Sequence, residues 1–242
     1  MFNWCKNNVP TIKLMVFVTS IIPISLLVWK IGSKRLGPNP LDHLLGSTGI
    51  WAFNFLLLTL AVSPSRKLGV NLMRRSGIKA GRRLSDWNFL IKIRRMLGLF
   101  CFFYSTLHLS IYLSLDAGFD IHFLWDDILE KSYIKMGWFG YIILFLLAIT
   151  SSNFAIRKLG KNWRRLHRFI YLSAILAAFH YLWLVKVGNF DPVWYIGCVI
   201  FLLSYRMFTL TGMGGLTDTG MEVAERPNPS HQFANNNTQK RD

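Results

Sequence analysis

Three histidines, His108, His167 and His180, lie inside apolar stretches of a chain that keeps most of its charge between such stretches. An ionisable side chain at bilayer depth is costly, and where one is retained it usually marks a functional site. A neutral imidazole offers three kinds of chemistry there: axial ligation of haem iron, proton relay, and hydrogen bonding between helices. His167 and His180 are about 20 Å apart along a helix axis and point about 140° apart, so they cannot share one iron. His108 falls about as far beyond Arg95 as His180 falls beyond Arg165. On helices running in the same direction the two reach similar depth, which is the arrangement of a bis-histidine site between facing helices. Small Ser173 and Ala177 share the stripe of His180 and leave room for a flat macrocycle, while Cys101, Tyr104, Ser105 and Tyr112 share the stripe of His108.

His167 sits in WRRLHR, one turn inside the basic boundary. Arg164, Arg165 and Arg168 beside it suit haem propionates or a flavin phosphate, or else act as anchors on the cytoplasmic side. His43, next to Asp42, and His122, in an acidic loop, read as interfacial, and His231 carries no assignment. Cys5, Cys101 and Cys198 form no C-x-x-C pair, so they read as packing residues and not as a zinc, iron–sulfur or disulfide framework. No P-loop, G-x-G-x-x-G, H-E-x-x-H or G-x-S-x-G appears, which removes motif support for nucleotide binding or hydrolysis.

The elements that must position these groups are membrane spans. The 242 residues are 52% hydrophobic with a net charge of +16, and long uncharged runs alongside that charge point to basic loops on a membrane protein and away from nucleic acid. Six segments approach the ~20 residues a helix needs to cross a bilayer, at 12–31, 43–62, 96–115, 136–152, 164–185 and 192–208. The expected fold is all-α, a polytopic bundle of about six transmembrane helices over 12–208, preceded by a cytoplasmic 1–11. The run from Leu14 to Trp29 is too long for a signal h-region and has no small-x-small site after it, so it reads as a retained span. The loops at 64–95 and 153–165 are rich in Arg and Lys and belong in the cytoplasm, with both termini. The loop at 116–135 carries Asp116, Asp120, Asp126, Asp127 and Glu130 and belongs outside. Lys30, Lys34 and Arg35 fall on the wrong side of this scheme. Trp29, Trp138, Trp163 and Trp183 near span ends read as interfacial belts. The segment 209–242, ending NNNTQKRD, is aperiodic and polar and is expected to be a disordered cytoplasmic tail.

Four stretches, TGIWAFNFLLLTLAVSP (48–64), RRMLGLFCFFYSTLHLSIY (94–112), MGWFGYIILFLLAITS (136–151) and WRRLHRFIYLSAILAAFHYLWLVK (163–186), resemble the ferric-reductase-like transmembrane family, and within it the MsrQ-type haem-binding subunits. The resemblance implies an inner-membrane haem b protein, with one or two haems, that also uses FMN. It implies electrons from a cytosolic flavin reductase and delivery to a periplasmic molybdopterin subunit that repairs oxidised methionines. The family's histidines fall on His108, His167 and His180. The wider family places two histidines on each of two helices, and this chain lacks the inner one on the third span, which leaves a second haem open. The family's Arg-Pro-Tyr before the fourth span is Lys131-Ser132-Tyr133 here. No loop, nor 209–242, is large enough for a flavin or catalytic domain, so donor and acceptor are expected to be separate proteins. A proton-relaying transporter and a haem subunit serving a dehydrogenase or quinone are the competing readings.

Overall fold

Runs of apolar residues punctuated by Pro, Gly and charge form a chain of helices with no strand among the described residues. The computed structural model describes residues 8–77, 81, 83–184 and 190–210; the first seven residues, Cys5 among them, and 211–242 of the expected tail lie outside them, while 209 and 210, expected as tail, belong to the last helix. Helix α1 (Val9–Gly32) starts with Pro10 in its first turn and ends with Lys30 in its last, placements that suit the missing proline N–H and the helix dipole. Helix α2 (Pro40–Arg75) repeats the pattern with Pro40 and Asp42 at its start and Arg74 and Arg75 at its end. A 3-10 turn (Leu84–Trp87) leads into α3 (Asn88–Ile111), which ends in a π turn at Tyr112–Asp116. Asp120 caps α4 (Ile121–Glu130) by accepting from the N–H groups of His122 and Phe123. Then follow α5 (Ser132–Ile149), α6 (Asn153–Leu159), α7 (Lys161–Leu166), a 3-10 turn (His167–Phe169), α8 (Ile170–Leu184) and α9 (Asp191–Leu210).

Helix α2 packs along α3, and α5 along α8; these two pairs, bridged by α3 against α5 and α2 against α8, frame the space around the histidines. Residues up to Leu202 form one unit, and of the second unit, from Leu203 onward, only the end of α9 is described. Among the described residues, four stretches are long and apolar enough to cross a membrane: Val9–Gly32, Pro40–Arg75, Ser85–Asp116 and Ser132–Ile149. Their outer faces leave large side chains uncovered, among them Leu14, Phe17, Leu26, Leu58, Phe139 and Phe145. A contiguous apolar exterior of this kind is stable in lipid and a liability in water.

Several boundaries differ from the sequence reading. The second span extends to Arg75, well into the stretch expected as a basic loop, because Pro64 lacks only one N–H and the Lys and Arg residues beyond it are good helix formers. The fifth span is not one helix from 164 to 185: a 3-10 turn at His167–Phe169 separates α7 from α8. The acidic segment 116–135 is not an open loop, since it contains α4.

Helix α1 is joined to the bundle by a break in its own ladder. Pro23 has no N–H to give, and one residue later the Ile24 N–H donates to Tyr104 Oη (3.2 Å) while the Tyr104 hydroxyl donates to the Ser20 carbonyl (2.8 Å). The phenol thus bridges the Ile24 N–H and the Ser20 carbonyl, beside the ladder bond that Pro23 cannot make. Tyr104 is 1% exposed and stacks on Phe55 at 5.3 Å. It therefore faces α1 and does not share the histidine cavity as its stripe position suggested. Tyr104→Phe is expected to leave this carbonyl and N–H short of a buried partner and to cost about 1–3 kcal/mol, read as a lower unfolding temperature in detergent.

Candidate functional site

Between the two helix pairs lies a cavity of about 590 Å³ lined by residues of α2, α3, α5 and α8, among them Leu45, Gly49, Cys101, Ser105, His108, Gly137, Trp138, Tyr141, Ser173, Ala177 and His180. That volume falls within the range of about 300–1,000 Å³ usual for cofactor and ligand sites. Two of the predicted residues meet in it: the rings of His108 and His180 are 6.1 Å apart, centroid to centroid, with their planes nearly perpendicular. Ser173 and Ala177 line the same space, as the stripe argument placed them, and so do Cys101, Ser105 and Tyr112.

Both rings are oriented by backbone. His108 Nδ1 donates to the Leu45 carbonyl (3.0 Å), with Thr48 Oγ1 at 3.4 Å. His180 Nδ1 donates to the Tyr133 carbonyl (2.7 Å). Each bond fixes the proton on Nδ1 and leaves Nε2 with its lone pair, the state a metal-binding imidazole requires. Neither Nε2 has a hydrogen-bond partner among the described residues. Two glycines that sequence reading missed make the placement possible. A Cβ on Gly49 would come within 3.2 Å of His108 Nδ1, and one on Gly137 within 2.9 Å of His180 Nδ1. In an apolar helix a glycine gives no signal of its own, and only the facing helix reveals what it admits.

The donor set fits haem. His108 and His180 would hold it as two neutral imidazoles from facing helices, their rings 6.1 Å apart across the cavity and each Nε2 without a competing hydrogen bond among the described residues. Trp138, read from sequence as an interfacial belt residue, lines the cavity with a buried indole N–H that has no acceptor among the described residues. It is a donor available to a polar edge of a bound group. Hydroxyls on α2 and α3 are satisfied locally: Thr48, Thr59, Ser105 and Thr106 donate to the carbonyl four residues before them, as buried polar groups in helices must.

The cavity opens beside acidic groups. Asp42, Asp116, Tyr112 and Tyr133 line it. Tyr112 donates to Asp127 Oδ2 (2.9 Å), and Asp127, 5% exposed, pairs through Oδ1 with Lys131 at 2.6 Å. The Asp127 hydrogen bond holds the Lys131 ammonium above the ordinary lysine value. A raised basic pKa gives stabilisation that is complete below the ordinary value and lost only as pH rises through the raised one. The relay therefore persists at neutral pH.

His167 is not brought to this cavity. Its ring stacks on Trp163 at 4.0 Å, Nδ1 donates to the Trp163 carbonyl (3.2 Å), and Nε2 lies 3.4 Å from Ser151 Oγ, whose proton goes to Leu147 at 2.7 Å. Trp163 itself donates to the Thr150 carbonyl (2.9 Å), so this residue too holds helices together and is more than a belt residue. Arg164, Arg165 and Arg168 are exposed and line no part of the cavity. His43 is half-buried beside Lys30, and His122 is exposed. Cys101 is buried and Cys198 exposed.

Residues 48–178, just over half of the chain, match the ferric reductase like transmembrane component family. The chain is 40% identical over 216 residues to a protein of Azospira oryzae, covering 88% of this chain and 86% of that protein. It is 37% identical over 201 residues to one of Herminiimonas arsenicoxydans, with 81% and 84% covered. A third, from Xanthomonas oryzae pv. oryzae, is 38% identical over 208 residues, with 83% and 88% covered. All three are named protein-methionine-sulfoxide reductase heme-binding subunit MsrQ.

Proposed function

Because the chain belongs to the ferric-reductase-like transmembrane family as one of its MsrQ-type haem-binding subunits, we propose that it passes electrons from a cytosolic flavin reductase to a periplasmic molybdopterin methionine sulfoxide reductase. The chain is a membrane haem subunit of electron transfer; donor, acceptor and direction are the proposed part. The observation that carries the reading is the His108 and His180 pair, facing across a cavity with both Nδ1 protons committed to backbone carbonyls. Haem b held there would supply reversible one-electron chemistry, which protein side chains at this depth do not.

The chain's own residues would do the positioning. His108 and His180 present their Nε2 lone pairs, Gly49 and Gly137 let the rings lie against α2 and α5, and apolar walls such as Leu56 and Leu144 keep water out. Tyr112 and Asp127 fix the polar rim. A second cofactor, haem or FMN, is assigned to the other end of the bundle, with His167 as its ring nitrogen and Arg164, Arg165 and Arg168 for its anionic groups. Support for this comes from the chemistry of those residues and their separation from the outer pair. The membrane is the bacterial inner membrane, with the basic loops and both termini cytoplasmic. Reporter fusions within 116–135 should read as periplasmic, and a cytoplasmic reading would reverse the proposed direction.

The test is reconstitution. The purified chain with reduced nicotinamide and methionine sulfoxide alone is expected to turn over negligibly. Adding a flavin reductase should reduce the haem, and adding the molybdoenzyme with oxidised methionine should reoxidise it. Sulfoxide reduction by the isolated chain would defeat the carrier reading. Haem that is reduced but never reoxidised would move the acceptor elsewhere.

A further inference from the structure

A second hollow, of about 550 Å³, runs along the lipid-facing side of α1 where it meets α2 and α3. Its walls are apolar, with Met15, Ile22, Leu26, Leu58 and Leu97 among them, and one end is polar, formed by Lys30, His43 and Ser47. Lys30 Nζ and His43 Nε2 are 3.3 Å apart. Among the described residues no carboxylate pairs with Lys30. Beside that end a smaller recess of about 360 Å³ shares His43, Ser47 and Trp51 with the groove and adds Asp42.

We propose that this groove is a binding site for an acidic phospholipid, its phosphate at Lys30 and His43 and one acyl chain lying along α1 toward Met15. Three observations select that occupant. The first is length: Met15 and Lys30 are about 22 Å apart along a helix, which equals half of the ~40–45 Å bilayer with its headgroups. The second is charge. Lys30, Lys34 and Arg35 stand at the histidine-pair end of the bundle, where Lys131 has Asp127 as its carboxylate partner and Lys30 has none among the described residues. A lipid phosphate supplies the missing counter-charge, worth about a factor of five in affinity per lysine. The third is the recess, whose Asp42 carboxylate and Ser47 hydroxyl suit a headgroup that carries hydroxyls beside its phosphate. Trp29 and Trp51 flank this end, where aromatic rings meet headgroups.

The experiment measures lipid retained by the full chain, purified in mild detergent and exchanged into bilayer discs of phosphatidylglycerol and phosphatidylcholine, by native mass spectrometry and by extraction. The wild-type protein is expected to retain about one phosphatidylglycerol and to prefer it to phosphatidylcholine. Lys30→Gln should lower that preference about five-fold, and Leu26→Trp, which fills the groove, should lower it without changing charge. Lys13→Gln, at the other end of α1, should leave it unchanged. The haem absorption of all three variants should match wild type, which separates this site from the histidine pair. Equal retention of both lipids, an unchanged preference in Lys30→Gln, competition by inorganic phosphate alone, or extraction of a quinone instead of phospholipid would each overturn the proposal.

Discussion

Alanine at either His108 or His180 is expected to abolish one and the same low-spin haem absorption, while alanine at His167 leaves that absorption in place. The expectation follows from the geometry. Two imidazoles 6.1 Å apart, each with its Nδ1 proton on a backbone carbonyl, form a unit in which loss of either ring leaves one nitrogen where low-spin iron needs two. His167, stacked on Trp163 and held near Ser151, contributes no atom to that space. Each variant would be compared at equal helicity and with a single size-exclusion peak, and added imidazole should restore part of the spectrum of His108→Ala and His180→Ala. His180→Ala that keeps the full low-spin spectrum would defeat the pairing. A His167→Ala variant that loses it would show the ligand set to be different.

This pair was legible in the sequence because depth can be counted. Residues from a charged boundary, multiplied by the rise of a helix, put His108 and His180 level and put His167 elsewhere. Stripe arguments also placed Ser173, Ala177, Cys101, Ser105 and Tyr112 around one cavity. The same argument misplaced Tyr104. A stripe on one helix is wide enough to touch two neighbours, and the neighbour that offered a broken ladder at Pro23 took the hydroxyl.

Other features were hidden for a different reason. Asp127 reads as one acid among five in a polar segment, yet α4 folds back and buries it between Tyr112 and Lys131. Its role depends on a short helix that composition alone does not distinguish from a loop. The break between α7 and α8 follows from a turn of tighter winding, and no proline or glycine announces it. What periodicity supplies is the face of one element; what it lacks is the partner opposite.

The glycines make that missing partner testable. Tyr133 and Gly137 lie one turn apart on α5, and the His180 ring rests on both: its Nδ1 bonds the Tyr133 carbonyl at 2.7 Å and sits where a Cβ on residue 137 would approach to 2.9 Å. Gly137→Ala therefore forces the ring to move, and the ring cannot move far without giving up the bond that fixes its tautomer. Overpacking of this kind costs about 1–3 kcal/mol, and disturbing the hydrogen bond that orients a metal-binding histidine costs about 10–100-fold in affinity. Gly49→Ala, with 3.2 Å to the His108 ring, should do the same to a smaller degree. Gly98→Ala, whose Cβ would meet only Thr59 Cγ2 at 3.8 Å, should bind haem as wild type and is the reference for general helix effects. The measurement is haem titration of the apoprotein followed at the Soret band, with the low-spin fraction read from the same spectra. The expected order of weakening is Gly137→Ala, then Gly49→Ala, with Gly98→Ala unchanged. Native affinity and spectrum in Gly137→Ala would mean that the His180 ring does not need its seat on α5, and the orientation argument for the whole site would fall with it.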